Sequence, residues 1–146
     1  MGGILAIAVF SLVLSALGAL VTTRTLSNSG SITVSAPSPT IQLGVYSNSG
    51  CTNALSSVTW GTLNPGSTST ATAYLRNEGN VPITLSAQAS NWNPASASSY
   101  FTFSWDKAGY VLAVNQTVQA TLSLTVSSSI SGITSFSFDI TITATQ

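Results

Sequence analysis

Three separate stretches of this chain alternate apolar and polar residues without a slip, and that pattern limits the fold more than any other feature. "STSTATAYLRN" sets Ala71, Ala73 and Leu75 against Thr70, Thr72 and Tyr74. "TVQATLSLTVS" places Val118, Ala120, Leu122, Leu124 and Val126 at period two. "TSFSFDITITA" does the same with Phe136, Phe138, Ile140 and Ile142. Side chains of a strand point alternately to opposite faces, so each stretch has one apolar and one hydroxyl-rich face. Such strands bury the apolar face against a second layer.

The stretches between them read the same way. "SITVSAPSPTIQLGVYS" gives a strand, a break at Pro37 and Pro39, and a second strand. "LSSVTWGTLNPG" gives a strand ending near Trp60 and a turn at Asn64-Pro65-Gly66, where Pro presets φ and Gly supplies φ > 0. "VPITLSAQASN" is a strand with Pro82 near its start, and "SYFTFSW" puts Phe101 and Phe103 on one face. "EGN", "WNP" and "DKAGY" are breaks. The total is about seven or eight strands with turn signals every eight to twelve residues, the spacing of an immunoglobulin-like β-sandwich.

Only six of 146 residues are charged, Arg24, Arg76, Glu78, Asp106, Lys107 and Asp139, and they sum to zero. A chain so poor in charge has little electrostatic means of keeping its copies apart. It also has few groups through which pH can act on folding. No basic stripe is present, so nucleic acid is not an expected partner. Hydroxyls cover the outward faces instead: Thr117, Thr121, Ser123 and Thr125 on one strand, Ser135, Ser137, Thr141 and Thr143 on another. These faces suit bare solvent, O-linked glycans or close packing against a neighbouring subunit. Asn115-Gln116-Thr117 is the one N-glycosylation triplet, with Asn115 the acceptor.

Nothing in the sequence assembles catalytic chemistry. There is no His, and the three acids lie in different predicted elements. Glu78 and Asp106 sit in turns beside Arg76 and Lys107, and Asp139 sits on the hydroxyl face of the last strand. No Cys/His cluster has zinc spacing, and no Gly-rich loop joins a strand to a helix. The expectation is no catalytic residue, no cofactor and no metal. Cys51 is the only Cys, which excludes an intrachain disulfide and reads as a small, half-buried apolar residue. Trp60, Trp92 and Trp105, with Tyr46, Tyr74, Tyr100 and Tyr110, read as filling the sandwich core and its ends, or alternatively as a sugar-binding or adhesive surface.

The N-terminus is of another kind. From Ile4 to Val21 every residue is apolar or small apart from Ser11 and Ser15, and the first charge is Arg24. As an α-helix, residues 3–24 would be about 30 Å long, enough to cross a bilayer core. A helix apolar all round is buried, in lipid or in protein. Ser11, Ser15, Ala16, Gly18 and Ala19 would let such helices approach closely. The fold class expected is α+β: a hydrophobic α-helix over 1–27, a hinge at 28–30, and an all-β sandwich over 31–146.

An apolar N-terminal helix, a short Ser/Asn/Gly hinge and a Ser/Thr-rich sandwich without a cysteine framework together resemble the archaeal type IV pilins, of the adhesion-pilus and archaeal-flagellin superfamily. "WGTLNPGSTSTATAYLRNEGNVPITL" is similar to β-domains of archaeal surface proteins. The resemblance implies a homopolymer of identical subunits, membrane-inserted before assembly, forming an extracellular cell-surface pilus for adhesion or aggregation, with surfaces or viruses as ligands. It implies an assembly helix carried by Ile4, Leu5, Ile7, Val9, Phe10, Leu12, Val13, Leu14, Leu17, Leu20 and Val21. The sequence departs from the family's pattern in two ways: no basic leader precedes the apolar segment, and no Glu lies near its start. Two other readings stay open. In one, the helix remains in lipid and anchors a binding module. In the other, it is a cleaved signal and "SITVSAP" donates a strand to the next subunit of a secreted fibre.

Overall fold

The computed structural model describes residues 9–14, 20–26, 30–35 and 37–146. The chain forms two compact units, Met1–Thr40 and Ile41–Gln146.

The first unit contains β1 (Val9–Leu14), β2 (Leu20–Leu26) and β3 (Gly30–Ser35), an antiparallel sheet in chain order. Val9 lies opposite Thr25 and Leu14 opposite Leu20; Val21 pairs with Ser35 and Leu26 with Gly30. This corrects the expected helix over 1–27 and, with it, the α+β class. Of the expected assembly-helix residues, Val9, Phe10, Leu12, Val13 and Leu14 belong to β1, and Leu20 and Val21 to β2. Ile4, Leu5, Ile7 and Leu17 lie outside the described residues. Among the described residues there is no α-helix, and no helix long and apolar enough to cross a membrane. The physical reason is local. Val9, Val13, Val21, Thr22, Thr23 and Thr25 are β-branched, stiff at χ1 and better suited to a pleated surface than to a helix. Their backbone groups find partners on adjacent strands rather than four residues back.

The second unit is two antiparallel sheets. One has the order β4-β5-β9-β7, with β4 (Leu43–Tyr46), β5 (Thr68–Asn77), β9 (Thr117–Val126) and β7 (Phe101–Trp105). The other has the order β10-β6-β8, with β10 (Ser137–Thr145), β6 (Ile83–Asn93) and β8 (Val111–Leu112). A short 3₁₀ helix, Ala95–Ser99, links β6 to β7. The alternation seen in sequence is realised in β5 and β9: Ala73, Leu75, Ala120, Leu122, Leu124 and Val126 are buried, and their neighbours face outward.

Two apolar clusters fill the space between the sheets. Leu75, Ile83, Leu85, Leu112 and Ala120 form one, with Trp105 and Tyr110 packed on it. Ala97, Phe101, Leu124 and Val126 form the other, beneath a stack of aromatic rings. Trp92 lies 4.2 Å from Phe138 and 5.8 Å from Phe101, centroid to centroid. Phe136 lies 4.2 Å from Phe101.

Two differences from the expected strands stand out. The short β8 carried no alternation to announce it. The strand expected to end at Trp60 does not form: no strand covers residues 55–63, although Val58 and Trp60 are half-buried at period two. The turn that follows is present, with Gly66 at φ 75° and the Ser67 N–H donating to the Asn64 carbonyl at 3.0 Å.

Candidate functional site

The surface of the second unit is built by register. On the outer face of the four-stranded sheet, Thr68 opposes Thr125, which opposes Thr102; Thr70 opposes Ser123, which opposes Ser104; Thr72 opposes Thr121. Neighbouring strands lie about 4.8 Å apart and same-face residues about 6.8 Å apart along a strand, so these hydroxyls form a regular field. The Thr68 and Thr125 hydroxyls are bonded to each other at 2.9 Å. The other sheet carries a matching row, with Thr141 opposite Gln88, Thr143 opposite Ser86 and Thr145 opposite Thr84. Thr117, Thr125, Ser135, Ser137, Thr141 and Thr143 are exposed, whereas Thr121 and Ser123 are half-buried.

The charges of the second unit do not gather into one site. Glu78 accepts hydrogen bonds from the Tyr46 hydroxyl and from Gln42 Nε2, the latter at 3.1 Å. The Tyr46–Glu78 bond is the main reason the Tyr46 phenol titrates above its ordinary value; desolvation and the charge of Glu78 act in the same direction. Asp106 accepts from Lys107 Nζ and from the Thr121 backbone N–H, each at 2.8 Å. Burial pushes its carboxyl up, but these two bonds outweigh it and hold the group below the ordinary carboxylate range. Asp139 accepts from Asn91 Nδ2 at 2.8 Å on the exposed face of β10. Glu78 and Asp106 are therefore pins between elements, beyond the solvated turn residues their sequence context suggested. No group of three or more His, Cys, Asp or Glu that could hold a metal ion occurs among the described residues.

Asn115 is exposed, in a turn before β9, at φ 60°. Its backbone N–H donates to the Asn77 carbonyl at 3.0 Å, so its side chain is carried on an anchored turn. Cys51 is half-buried and free, with its sulfur 3.6 Å from the Thr117 hydroxyl.

The aromatic residues divide. Trp92, Phe101, Phe103, Phe136 and Phe138 stack as packing of the second cluster, and Trp105 and Tyr110 pack on the first. Trp60 lies at the margin, 6.2 Å from Phe138, between two clefts. One cleft has a volume of about 730 Å³ and is lined by residues 58–63 and 130–138, with Pro65, Phe101 and Val126. The other, about 520 Å³, is lined by residues 55–58 and 138–142, with Val45, Trp60 and Leu122. Sequence reasoning missed both clefts, because they follow from the strand that does not form at 55–63.

No protein family, curated protein or solved structure matches this chain.

Proposed function

We propose that this protein is a structural, non-enzymatic subunit of an extracellular filament on the cell surface, built from copies of itself and serving adhesion or aggregation. The observation that carries the proposal is the nearly uncharged surface of the second unit. Short hydroxyls in register cover one sheet, hydroxyls and amides cover the other, and the strands of the two sheets contain only two charged residues, Arg76 and Asp139. Most soluble domains carry about a quarter of their residues as charges, which keeps copies apart. Here that repulsion is absent, and flat hydroxyl faces allow near approach of a second subunit. The sequence resemblance to archaeal pilins, an apolar N-terminal stretch before a Ser/Thr-rich β domain, suggests the filament class; the helical core of that family is no part of this proposal. Assembly draws on the apolar stretch 4–21, whose burial against other copies is favoured by the hydrophobic effect. Adhesive contacts and glycans belong on the outer faces and at Asn115.

The test is assembly of the purified full chain. Sedimentation and electron microscopy should show filaments, and Leu12→Glu or Leu14→Glu should abolish them while far-UV circular dichroism of the sandwich is unchanged. Monomers alone from the unaltered chain, or normal filaments from both variants, would overturn the proposal.

A further inference from the structure

Among the strand edges that the described residues leave open, two suit one another. β10 pairs with β6 on one side and with nothing on the other among the described residues. Natural sheets protect such an edge with lysines, prolines, bulges or a covering segment. The open edge of β10 carries a single charge, Asp139, no proline, and a register shift confined to its first residues. The segment beside it does not cover it. Among the described residues, Ser56–Leu63 makes no backbone–backbone hydrogen bond, and its backbone is tied only where the Ser69 hydroxyl reaches the Trp60 carbonyl at 3.2 Å. Residues 135–142 line the two clefts consecutively, inward and outward side chains alike. It is therefore the backbone edge of β10 that faces the clefts. The inward residues Phe138, Ile140 and Ile142 are only half-buried, unlike Ala73 and Leu75 on β5 and Ala120, Leu122, Leu124 and Val126 on β9.

The second of these edges is β3, which with β1 bounds the sheet β1-β2-β3 among the described residues. It has no charged residue, and Ile32 and Val34 alternate with Ser31, Thr33 and Ser35. Its six residues extend about 20 Å, which fits within the roughly 31 Å of nine-residue β10. Pairing needs no strand to leave its own sheet.

We propose that the free edge of β10 pairs with the free edge of β3 of a second copy, joining the two sheets into one across the subunit boundary. This rests on the self-assembly reading and names its contact. Main-chain hydrogen bonds supply the attraction, and the alternation of Ile32 and Val34 against Phe138, Ile140 and Ile142 sets the face. Donor and acceptor are different edges of the subunit. The contact is head-to-tail, and unless its rotation closes a ring it propagates as a filament.

Disulfide trapping between full-length chains tests it. In a Cys51→Ala background, Thr33→Cys chains are mixed in turn with Asp139→Cys, Thr141→Cys or Thr143→Cys chains, allowed to assemble, and oxidised. Thr125→Cys, on the other sheet, is the control partner. The expected result is a linked heterodimer with at least one β10 position and loss of that band with the control. Filaments without a β10-specific band would overturn this contact and leave the filament reading standing. Neither filaments nor band would overturn both. A β10-specific dimer without filaments would uphold the contact and overturn the filament reading.

Discussion

Asn77 donates its side-chain amide to the Leu112 carbonyl at 3.0 Å from a fully buried position, and so ties the end of β5 to β8 in the opposite sheet. The same amide reaches the Val81 carbonyl at 2.7 Å, and its oxygen accepts from the Gly79 N–H at 3.0 Å. Every polar atom of the side chain is thus satisfied where water does not reach. Its main chain is equally committed, bonding Gln116 and Asn115 at 3.0 Å each.

Asn77→Ala strands the buried Leu112 carbonyl and takes their partner from the half-buried Val81 carbonyl and Gly79 N–H, groups that are costly to leave unpaired. The expected loss is about 3 kcal/mol of unfolding free energy, read as a lower urea midpoint at unchanged slope. Asn77→Asp keeps the acceptor for Gly79 but removes both donors, and should cost at least as much. A change of less than about 0.5 kcal/mol in either variant would show that this residue does not join the sheets.

The Tyr46–Glu78 pair predicts an alkaline limb. Folding holds the Tyr46 phenol protonated above its ordinary value of 10.0, chiefly through the hydrogen bond to Glu78. A group whose folded pKa is raised contributes stability that is complete below the unfolded pKa and is lost as pH rises through the folded one. Stability should therefore fall as pH climbs past 10.0, and Tyr46→Phe should remove that part of the fall. Gly44→Ala should act similarly, because an added Cβ would meet the Tyr46 ring and lie 2.8 Å from both the Tyr46 hydroxyl and Glu78 Oε1. An alkaline limb unchanged in Tyr46→Phe would count against the pair.

Asp106 predicts the acid limb with the opposite sign. Its pKa is depressed on folding, so its contribution is present above the unfolded value near 3.8 and is lost as pH falls below it. Asp106→Asn should flatten the acid limb without moving the alkaline one. Between the two limbs, from about pH 5 to 9, the denaturation midpoint should be nearly constant, since no His titrates there. A midpoint that drifts steadily across that window would refute the assignment of both limbs.

These cases show what was legible in the sequence. β5, β9 and β10 were, because alternation over nine or ten residues is a local signal that burial merely carries out. Residues 55–63 were not, because Val58 and Trp60 alternate correctly yet a strand also needs a neighbour, and pairing is non-local. The N-terminal stretch was misread for a related reason. An unbroken apolar run carries neither period, so helix and strand cannot be separated by pattern, and its length favoured the helix. The weight of β-branched residues from Val21 to Thr25 was the available clue. Asn77 was read only as the last residue of the strand stretch "STSTATAYLRN", before the break "EGN"; neither the Asx turn closed by the bond from Gly79 nor its reach across the core was legible.

The aromatic residues separate core from cleft. Trp92 is stacked between Phe138 and Phe101, and Trp92→Ala should cost about 3 kcal/mol, with loss of the near-UV signal of the ring stack. Trp60 meets the same stack only at its margin, 6.2 Å from Phe138, on a segment with no backbone pairing. Trp60→Ala should cost only about 1 kcal/mol, the value of a single aromatic contact. The ratio of the two is diagnostic. A cost at Trp60 as large as at Trp92 would mean that residues 56–63 close the side of the sandwich beside β10 as firmly as a strand would. The edge would then be covered within the subunit, and nothing would be left for a second copy to complete.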